Sequence, residues 1–159
     1  MQTPTSLPHL PTSTDKLKNY LLRLLTKKQY TEYELTAKAK SHKYDLADIH
    51  IVISELVGLG LIRDDLAGDQ LAIPLSGRKG KRALSIKLTQ KGITGELADT
   101  LISEFRETLS QSLLQTLSRK LATIEDNYQK IYKAQQFLLS RGFTQLDEHL
   151  QTLKDNNIL

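Results

Sequence analysis

Apolar residues recur with a helical period near the start of the chain. They are spaced by three and four residues, which puts their side chains on one face of a helix. The set is Leu17, Tyr20, Leu21, Leu24 and Leu25. A second, short helix is predicted after Thr31, because Thr31-Glu-Tyr-Glu34 has the sequence of a capping box, in which the two end residues satisfy each other's backbone N–H groups.

A third helix is predicted to begin at Asp45, because a carboxylate suits the N-cap position. Its expected buried stripe is Ile49, Val52, Ile53, Leu56 and Leu59. Gly58 and Gly60 lie on either side of Leu59, at the end of this stripe, and favour termination of the helix there. The first segment of the chain therefore predicts three short helices.

One four-residue motif occurs twice in the second half of the chain. Lys91-Gly-Ile-Thr94 and Arg141-Gly-Phe-Thr144 lie 50 residues apart. Each predicts a helix-to-helix corner with a cation in the last turn, a left-handed glycine, a buried apolar residue and a threonine that caps the next helix. The first segment has His42-Lys-Tyr-Asp45 at the equivalent place, and without a glycine we expect a different helix ending there. The spacing indicates internal duplication.

This spacing divides the chain into an arm and three repeats. Three of the four prolines fall within the first 11 residues, so residues 1–14 are predicted to be a disordered arm, with order beginning near Asp15. The expected three-helix repeats are residues 15–64, 65–107 and 108–159. One such repeat buries too little apolar surface to be stable alone, so neighbours should share their cores. The predicted fold class is all-α.

Composition narrows the classes of function. The 159 residues include no cysteine, which excludes disulfides, thiolate metal sites and a cysteine nucleophile. No uncharged apolar run approaches the roughly 20 residues that a bilayer requires, and the first residues lack the pattern of a signal peptide. We therefore expect a cytoplasmic protein with no membrane partner.

Side chains capable of catalysis are scattered along the sequence. The four histidines are not spaced as metal ligands, and Ser76-Gly-Arg-Lys-Gly-Lys81 lacks the phosphate-loop pattern. Glu148 and His149 are predicted to lie on a solvated helix face. The sequence therefore predicts neither enzymatic activity nor a cofactor or metal site.

Four segments of the sequence form an ordered set. They are Leu22 to Leu35 with its Tyr-Thr-Glu-Tyr-Glu-Leu ending, Gly60-Leu-Ile-Arg-Asp-Asp65, Gly80 to Ile93 with its Gln-Lys-Gly-Ile ending, and Phe137-Leu-Leu-Ser-Arg-Gly-Phe143. In order and spacing they resemble the RecX regulatory proteins, which modulate the bacterial RecA recombinase. One segment alone is a weak signal, whereas four in register are specific. The resemblance covers almost the whole chain after the arm.

The resemblance implies an elongated, curved array of three tandem three-helix repeats, expected as a monomer. It also implies a regulator without chemistry, acting in DNA repair, homologous recombination and the SOS response. Such a regulator lies in the groove of the RecA filament on single-stranded DNA, or caps it, and limits its assembly and its recombinase, ATPase and co-protease activities. The expected partners are this filament and single- or double-stranded DNA.

One segment departs from the family pattern. Relatives usually carry a longer basic and aromatic helix at the start of the second repeat, where this chain has Gly68 and Pro74. Proline removes a backbone donor and clashes with the preceding turn. We expect this helix to be short, kinked or partly unwound.

The formal net charge of +4 averages unlike segments. Residues 44–66 and 92–107 are net acidic, whereas residues 78–91 contain six cations and no acid. The six are Arg78, Lys79, Lys81, Arg82, Lys87 and Lys91. They are the predicted contacts to DNA phosphates or to an acidic filament surface, with backbone N–H groups of a helix beginning near Gly80 helping to hold the anion.

Other interpretations of the cations stay open. The basic run is also compatible with a solvated loop and helix face. Lys27 and Lys28 are lesser candidates for filament contact. Arg141 is another, although a cation that completes a helix C-terminus is the stronger interpretation there.

A winged-helix transcription regulator is the alternative function. The first three helices would form its helix-turn-helix, and residues 76–83 its basic wing. The strands of the wing would come from the alternating apolar residues Leu71, Ile73, Leu75 and Leu84, Ile86, Leu88, since Pro74 suits an edge strand. Strand content distinguishes the two interpretations.

Overall fold

The computed structural model describes residues 12–159, and all regular secondary structure in that range is helical. The helices are α1 (Ser13–Leu25), α2 (Glu32–Ser41), α3 (Leu46–Gly58), α4 (Asp64–Ala72), α5 (Lys81–Gln90), α6 (Gly95–Glu104), α7 (Gln111–Leu121), α8 (Asn127–Ser140) and α9 (Leu146–Asp155). A 3₁₀ turn over Ile73–Leu75 follows α4. The all-α prediction is confirmed.

The predicted wing has no strands. Leu71 lies in α4, Ile73 and Leu75 in the 3₁₀ turn, and the apolar residues from Leu84 to Leu88 in α5. Their alternation arises because Leu84 and Leu88 share the buried face of a helix. The winged-helix interpretation is therefore wrong.

The first helix begins earlier than expected. Thr12 is its N-cap and forms a capping box with Asp15, so the ordered chain starts before that aspartate. Most of the predicted arm, residues 1–11, lies outside the described residues. Thr12, Ser13 and Thr14, which were assigned to the arm, belong to the cap and first turn of α1.

The described residues divide into two compact units between Ala67 and Gly68. In the first, α1, α2 and α3 enclose one buried apolar cluster that includes Leu17, Leu35 and Val52. The second contains two clusters, one around Leu84 and Leu88 and the other around Leu117 and Leu138. The division into three repeats at the stated boundaries stays a prediction.

Helix starts in the first unit follow the sequence closely. Thr31 and Glu34 form the predicted capping box, and Asp45 caps α3 through the N–H of Ala47. Ile49, Val52, Ile53 and Leu56 form the buried stripe of α3. Leu59 was assigned to that stripe incorrectly. It is the C-cap residue and is 60% exposed, because the chain leaves the helix there.

Pro74 shortens the helix that precedes it, as predicted. The α-helical hydrogen bonding of α4 ends at Ala72, and the chain continues for three residues as a 3₁₀ turn that contains Pro74. Leu75 in this turn is buried against the second unit's first apolar cluster. The basic segment, which begins at Arg78, therefore starts three residues after a leucine that is anchored in the core.

The corners after α2, α5 and α8 share one geometry. At the ends of α5 and α8, Gly92 and Gly142 have φ of 77° and 82°. The following Ile93 and Phe143 each donate a backbone N–H back to a helix carbonyl, of Leu88 and Leu138 respectively. Both predicted glycine corners are confirmed as the Schellman type.

The corner at the end of α2 has the same Schellman geometry, although we expected a different helix ending there. Lys43 adopts φ of 61°, and the Tyr44 N–H donates to the Ala39 carbonyl at 3.3 Å. A lysine occupies the left-handed position that glycine holds in the other two corners. The two backbone hydrogen bonds and the partly buried Tyr44, which packs against the core, hold the chain in this conformation.

We expect Lys43→Gly to raise the free energy of unfolding by about 0.5–1 kcal/mol, because glycine adopts a left-handed conformation without the Cβ clash. Ala37→Gly, at an exposed position in the body of α2, is the control and should lower it by about 1 kcal/mol. Urea unfolding measures both. A loss of stability in Lys43→Gly would contradict the left-handed corner.

The predicted threonine caps are wrong. Thr94 occupies the N-cap position of α6, but its side chain makes no capping hydrogen bond. Thr144 precedes the N-cap of α9, which is Gln145. The N–H groups of Thr144 and Gln145 donate instead to a carboxylate from a distant segment.

Candidate partner-binding grooves

The start of α5 is joined to the corner after α8. The Gly80 N–H donates to the Arg141 carbonyl at 3.1 Å, and the Arg82 N–H donates to the Gly142 carbonyl at 3.0 Å. The backbones approach so closely that a Cβ on Gly142 would lie 2.6 Å from the nitrogen of Ala83. These contacts bring cations from two distant parts of the sequence together.

A buried carboxylate occupies the helix N-termini beside this junction. Glu107 accepts the N–H of Lys81 at 2.6 Å, of Thr144 at 3.0 Å and of Gln145 at 3.1 Å. Its side chain is 0% exposed, and its Oε2 lies 3.4 Å from Nε2 of His149. One acidic side chain thus joins the first turns of α5 and α9.

This arrangement overturns the predicted anion site at the start of α5. The N–H groups of Gly80, Lys81 and Arg82 already donate to Arg141, Glu107 and Gly142. An external phosphate would have to displace an internal carboxylate that is fully buried. Any partner anion must therefore bind the side chains of the basic segment and not its backbone.

The environment of Glu107 keeps it ionised. Burial raises the pKa of this carboxyl, while hydrogen bonds from the backbone N–H groups of Thr144, Lys81 and Gln145 lower it. The hydrogen bonds outweigh the burial, so the pKa of Glu107 lies below its ordinary value. The positive ends of α5 and α9 act in the same direction.

Two neighbouring grooves open on this surface of the second unit, and they share Leu75, Lys79 and Arg141. The first, of about 470 Å³, is also lined by Pro74, Arg78, Ser112, Leu113 and Thr116. The second, of about 530 Å³, is also lined by Arg82, Ala83, Ile86, Lys87, Gln90, Leu139, Ser140 and Gly142. We call them the first and second basic grooves.

Most of the predicted cations converge on these grooves. Arg78, Lys79, Arg82 and Lys87 line them. Lys81 and Lys91 lie at the two ends of α5 and are half-buried. Arg141, a lesser candidate in the sequence, lines both grooves and is also the C-cap of α8, so its two interpretations are compatible.

Lys27 and Lys28 belong to the first unit. The Nζ of Lys28 lies 4.2 Å from the centre of the Tyr30 ring and 3.8 Å from Oε1 of Glu34. A cation–π contact and an ion pair of this kind are typical of a structural lysine. The structure therefore favours the first unit's own packing as the role of Lys28.

Curated relatives cover most of the chain. A Haemophilus ducreyi protein named regulatory protein RecX is 32% identical over 142 residues, which is 86% of this chain and 89% of the relative. A Chlorobium limicola protein of the same name is 30% identical over 128 residues, 79% of its length. The chain belongs to the RecX family.

Other comparisons with RecX proteins are consistent with this membership. The match to RecX of Mycobacterium sp. (strain KMS) is 32% identical and spans 62% of that relative's length. The crystal structure of RecX from Lactobacillus salivarius has a TM-score of 0.79 with 26% identity, covering 91% of this chain and 99% of that one. A second RecX crystal structure, at 22% identity and a TM-score of 0.72, shows the shared fold. No family model matches the chain.

Sequence reasoning missed three residues of this RecX surface. Glu107 counted only as one acid in an acidic segment, and no local pattern marks a cap that acts across 26 to 38 residues. Ile86 and Leu139 were not among the candidate contacts, although they are 52% and 44% exposed in the second basic groove. The period of α5 contained a signal, since Ile86 falls between the buried Leu84 and Leu88.

His149 also differs from its prediction. It is 4% exposed, and its ring packs edge-on against Phe143 with centroids 4.9 Å apart.

In the described part of the chain no group of three His, Cys, Asp or Glu side chains is placed to hold a metal ion. Over the same residues, no helix is long and apolar enough to cross a membrane.

Proposed function

We propose that this RecX family chain binds the RecA nucleoprotein filament and limits its assembly and its recombinase, ATPase and co-protease activities without catalysing a reaction. The proposed contacts are Arg78, Lys79, Lys81, Arg82, Lys87 and Lys91, now joined by Arg141. DNA within the filament is a further proposed partner. Family membership and the cations gathered on the two basic grooves support this proposal.

The grooves suit a large acidic partner better than a small ligand. They are shallow, and their cations come from the segment before α5, from α5 itself and from the end of α8. Arginine and lysine side chains on such a surface attract a partner that carries phosphates or carboxylates. A filament of protein on single-stranded DNA presents both groups.

ATP hydrolysis by RecA on single-stranded DNA tests the proposed function. We expect this chain to lower the rate at stoichiometric amounts and also at substoichiometric amounts, since a bound regulator stops growth of many subunits. An unchanged rate at both ratios would contradict the proposal.

Removal of the groove cations should weaken filament binding. For the triple variant Arg78→Ala, Lys79→Ala, Arg82→Ala, we expect about tenfold lower affinity at low salt and a flatter dependence on salt concentration. Filament binding is followed by fluorescence anisotropy across a salt series.

A variant with the same change in net charge provides the control. Lys16, Arg23 and Lys40 are exposed cations of the first unit, and their replacement by alanine should leave the affinity and its salt dependence close to those of the original chain. Equal losses in both triple variants would assign the effect to net charge and remove the grooves from the proposal.

A further inference from the structure

The second basic groove has an aliphatic floor. Ile86 of α5 and Leu139 of α8 are both exposed there, with Ala83 beside them. Four cations stand around this floor, namely Lys79, Arg82, Lys87 and Arg141. A groove lined by four cations and by an exposed pair of large aliphatic side chains differs from a solvated basic face, which would have no apolar part.

This floor is poorly matched to nucleic acid. Phosphates gain nothing from aliphatic side chains, and the backbone N–H groups of Gly80, Lys81 and Arg82 at the start of α5 are already engaged. Bases stack on open aromatic faces. No aromatic residue lines this groove, and the Phe137 ring already has the Arg141 guanidinium 4.6 Å from its centre.

The groove is held in shape before a partner arrives. The hydrogen bonds between Gly80 and Arg141 and between Arg82 and Gly142 join its two walls. Stacking on Phe137 restricts the Arg141 side chain. A rigid site loses less entropy on binding, so modest contact areas suffice for specific recognition.

We propose that the second basic groove binds an acidic protein segment that carries large apolar side chains on one helical face. The apolar side chains cover Ile86 and Leu139, and the carboxylates of the segment pair with Lys79, Arg82, Lys87 and Arg141. The proposal rests on the proposed function, because it names which part of that partner, protein and not DNA, contacts this groove. Charge complementarity and the aliphatic floor together select this occupant.

A labelled synthetic peptide of about a dozen residues tests the proposal, with leucines at i, i+4 spacing and glutamates elsewhere. We expect the full chain to bind it, and Ile86→Ser or Leu139→Ser to weaken binding about tenfold. A peptide with serines in place of the leucines should bind the original chain with an affinity lower by a similar factor. Ile51→Ser, at an exposed aliphatic residue of the first unit, should bind like the original chain.

Oligothymidylate is the competing probe. If it displaces the peptide and binds Ile86→Ser as tightly as the original chain, the groove is a phosphate surface and the proposal is wrong. It is equally wrong if the leucine peptide does not bind, or binds no better than the serine peptide. Thermal melting of each variant confirms that it is folded before binding is compared.

The same samples separate this inference from the proposed function. Inhibition of RecA ATP hydrolysis without peptide binding would overturn the groove proposal and leave the proposed function standing. Groove-dependent peptide binding without any effect on RecA would overturn the proposed function and leave the groove proposal standing.

Discussion

Glu107→Ala should lower the free energy of unfolding of the second unit by about 3 kcal/mol. The variant leaves the N–H groups of Lys81, Thr144 and Gln145 without their charged acceptor, and each such hydrogen bond contributes about 1.5–3 kcal/mol. Water reaches the exposed Thr144 and Gln145 and offsets part of the loss. Urea unfolding of the full chain provides the measurement.

Glu107→Gln keeps the shape of the side chain but removes its charge. The amide keeps one acceptor oxygen but turns an NH₂ group toward backbone donors, so we expect about half of the alanine effect. Glu104→Ala removes the same charge from an exposed position at the end of α6 and should change stability by less than about 0.5 kcal/mol. A Glu104 effect as large as that of Glu107 would refute the capping role.

The contribution of Glu107 should depend on pH. Its pKa is lower in the folded state than the ordinary value of 4.5, so the unfolded state binds the proton more readily. The stabilisation is therefore fully present above about pH 4.5 and is lost as the pH falls through the folded pKa. The stability difference between the original chain and Glu107→Gln should shrink in that acidic range, and a constant difference would contradict the lowered pKa.

Local patterns in the sequence predicted most helices and the glycine corners after α5 and α8. The capping box at Thr31, the N-cap at Asp45 and the left-handed Gly92 and Gly142 are determined by residues within a few positions of each other. The absence of glycine after α2 gave the wrong prediction at Lys43, where tertiary packing holds a lysine in the conformation that glycine prefers. Local preference is weaker than the packing around such a corner.

The site was less predictable because its parts meet through the fold. The basic run from Arg78 was visible in the sequence, but Arg141 joins it only because α5 begins against the corner after α8. The backbone anion site was wrong for the same reason, since Glu107 reaches the N–H of Lys81 from a different helix connection. Charge in a sequence shows which side chains are basic and does not show which backbone donors are already used.

The junction between α5 and α8 should be the most sensitive position for substitution. Gly142 has φ of 82°, and an added Cβ would lie 2.6 Å from the Ala83 nitrogen. Gly142→Ala therefore combines a strained backbone with a clash against another backbone, and we expect a loss of about 3–4 kcal/mol.

Substitutions at two other glycines separate the effect of backbone strain from the effect of the clash. A Cβ on Gly80 would overlap the Gly142 carbonyl and the Phe143 backbone, yet Gly80 has an ordinary φ of −96°, so Gly80→Ala should lose about 3–4 kcal/mol from crowding alone. Gly95 has φ of 64° with open space around it, so Gly95→Ala should lose only about 1 kcal/mol.

Binding adds a second measurement to this series. Because the junction places Arg82 and Arg141 on one groove, Gly80→Ala and Gly142→Ala should weaken filament binding at temperatures where both are folded, whereas Gly95→Ala should not. Equal stability losses in all three variants would show that the close approach of α5 and α8 does not stabilise the second unit. Unchanged binding in the two junction variants would show that this approach does not position the cations.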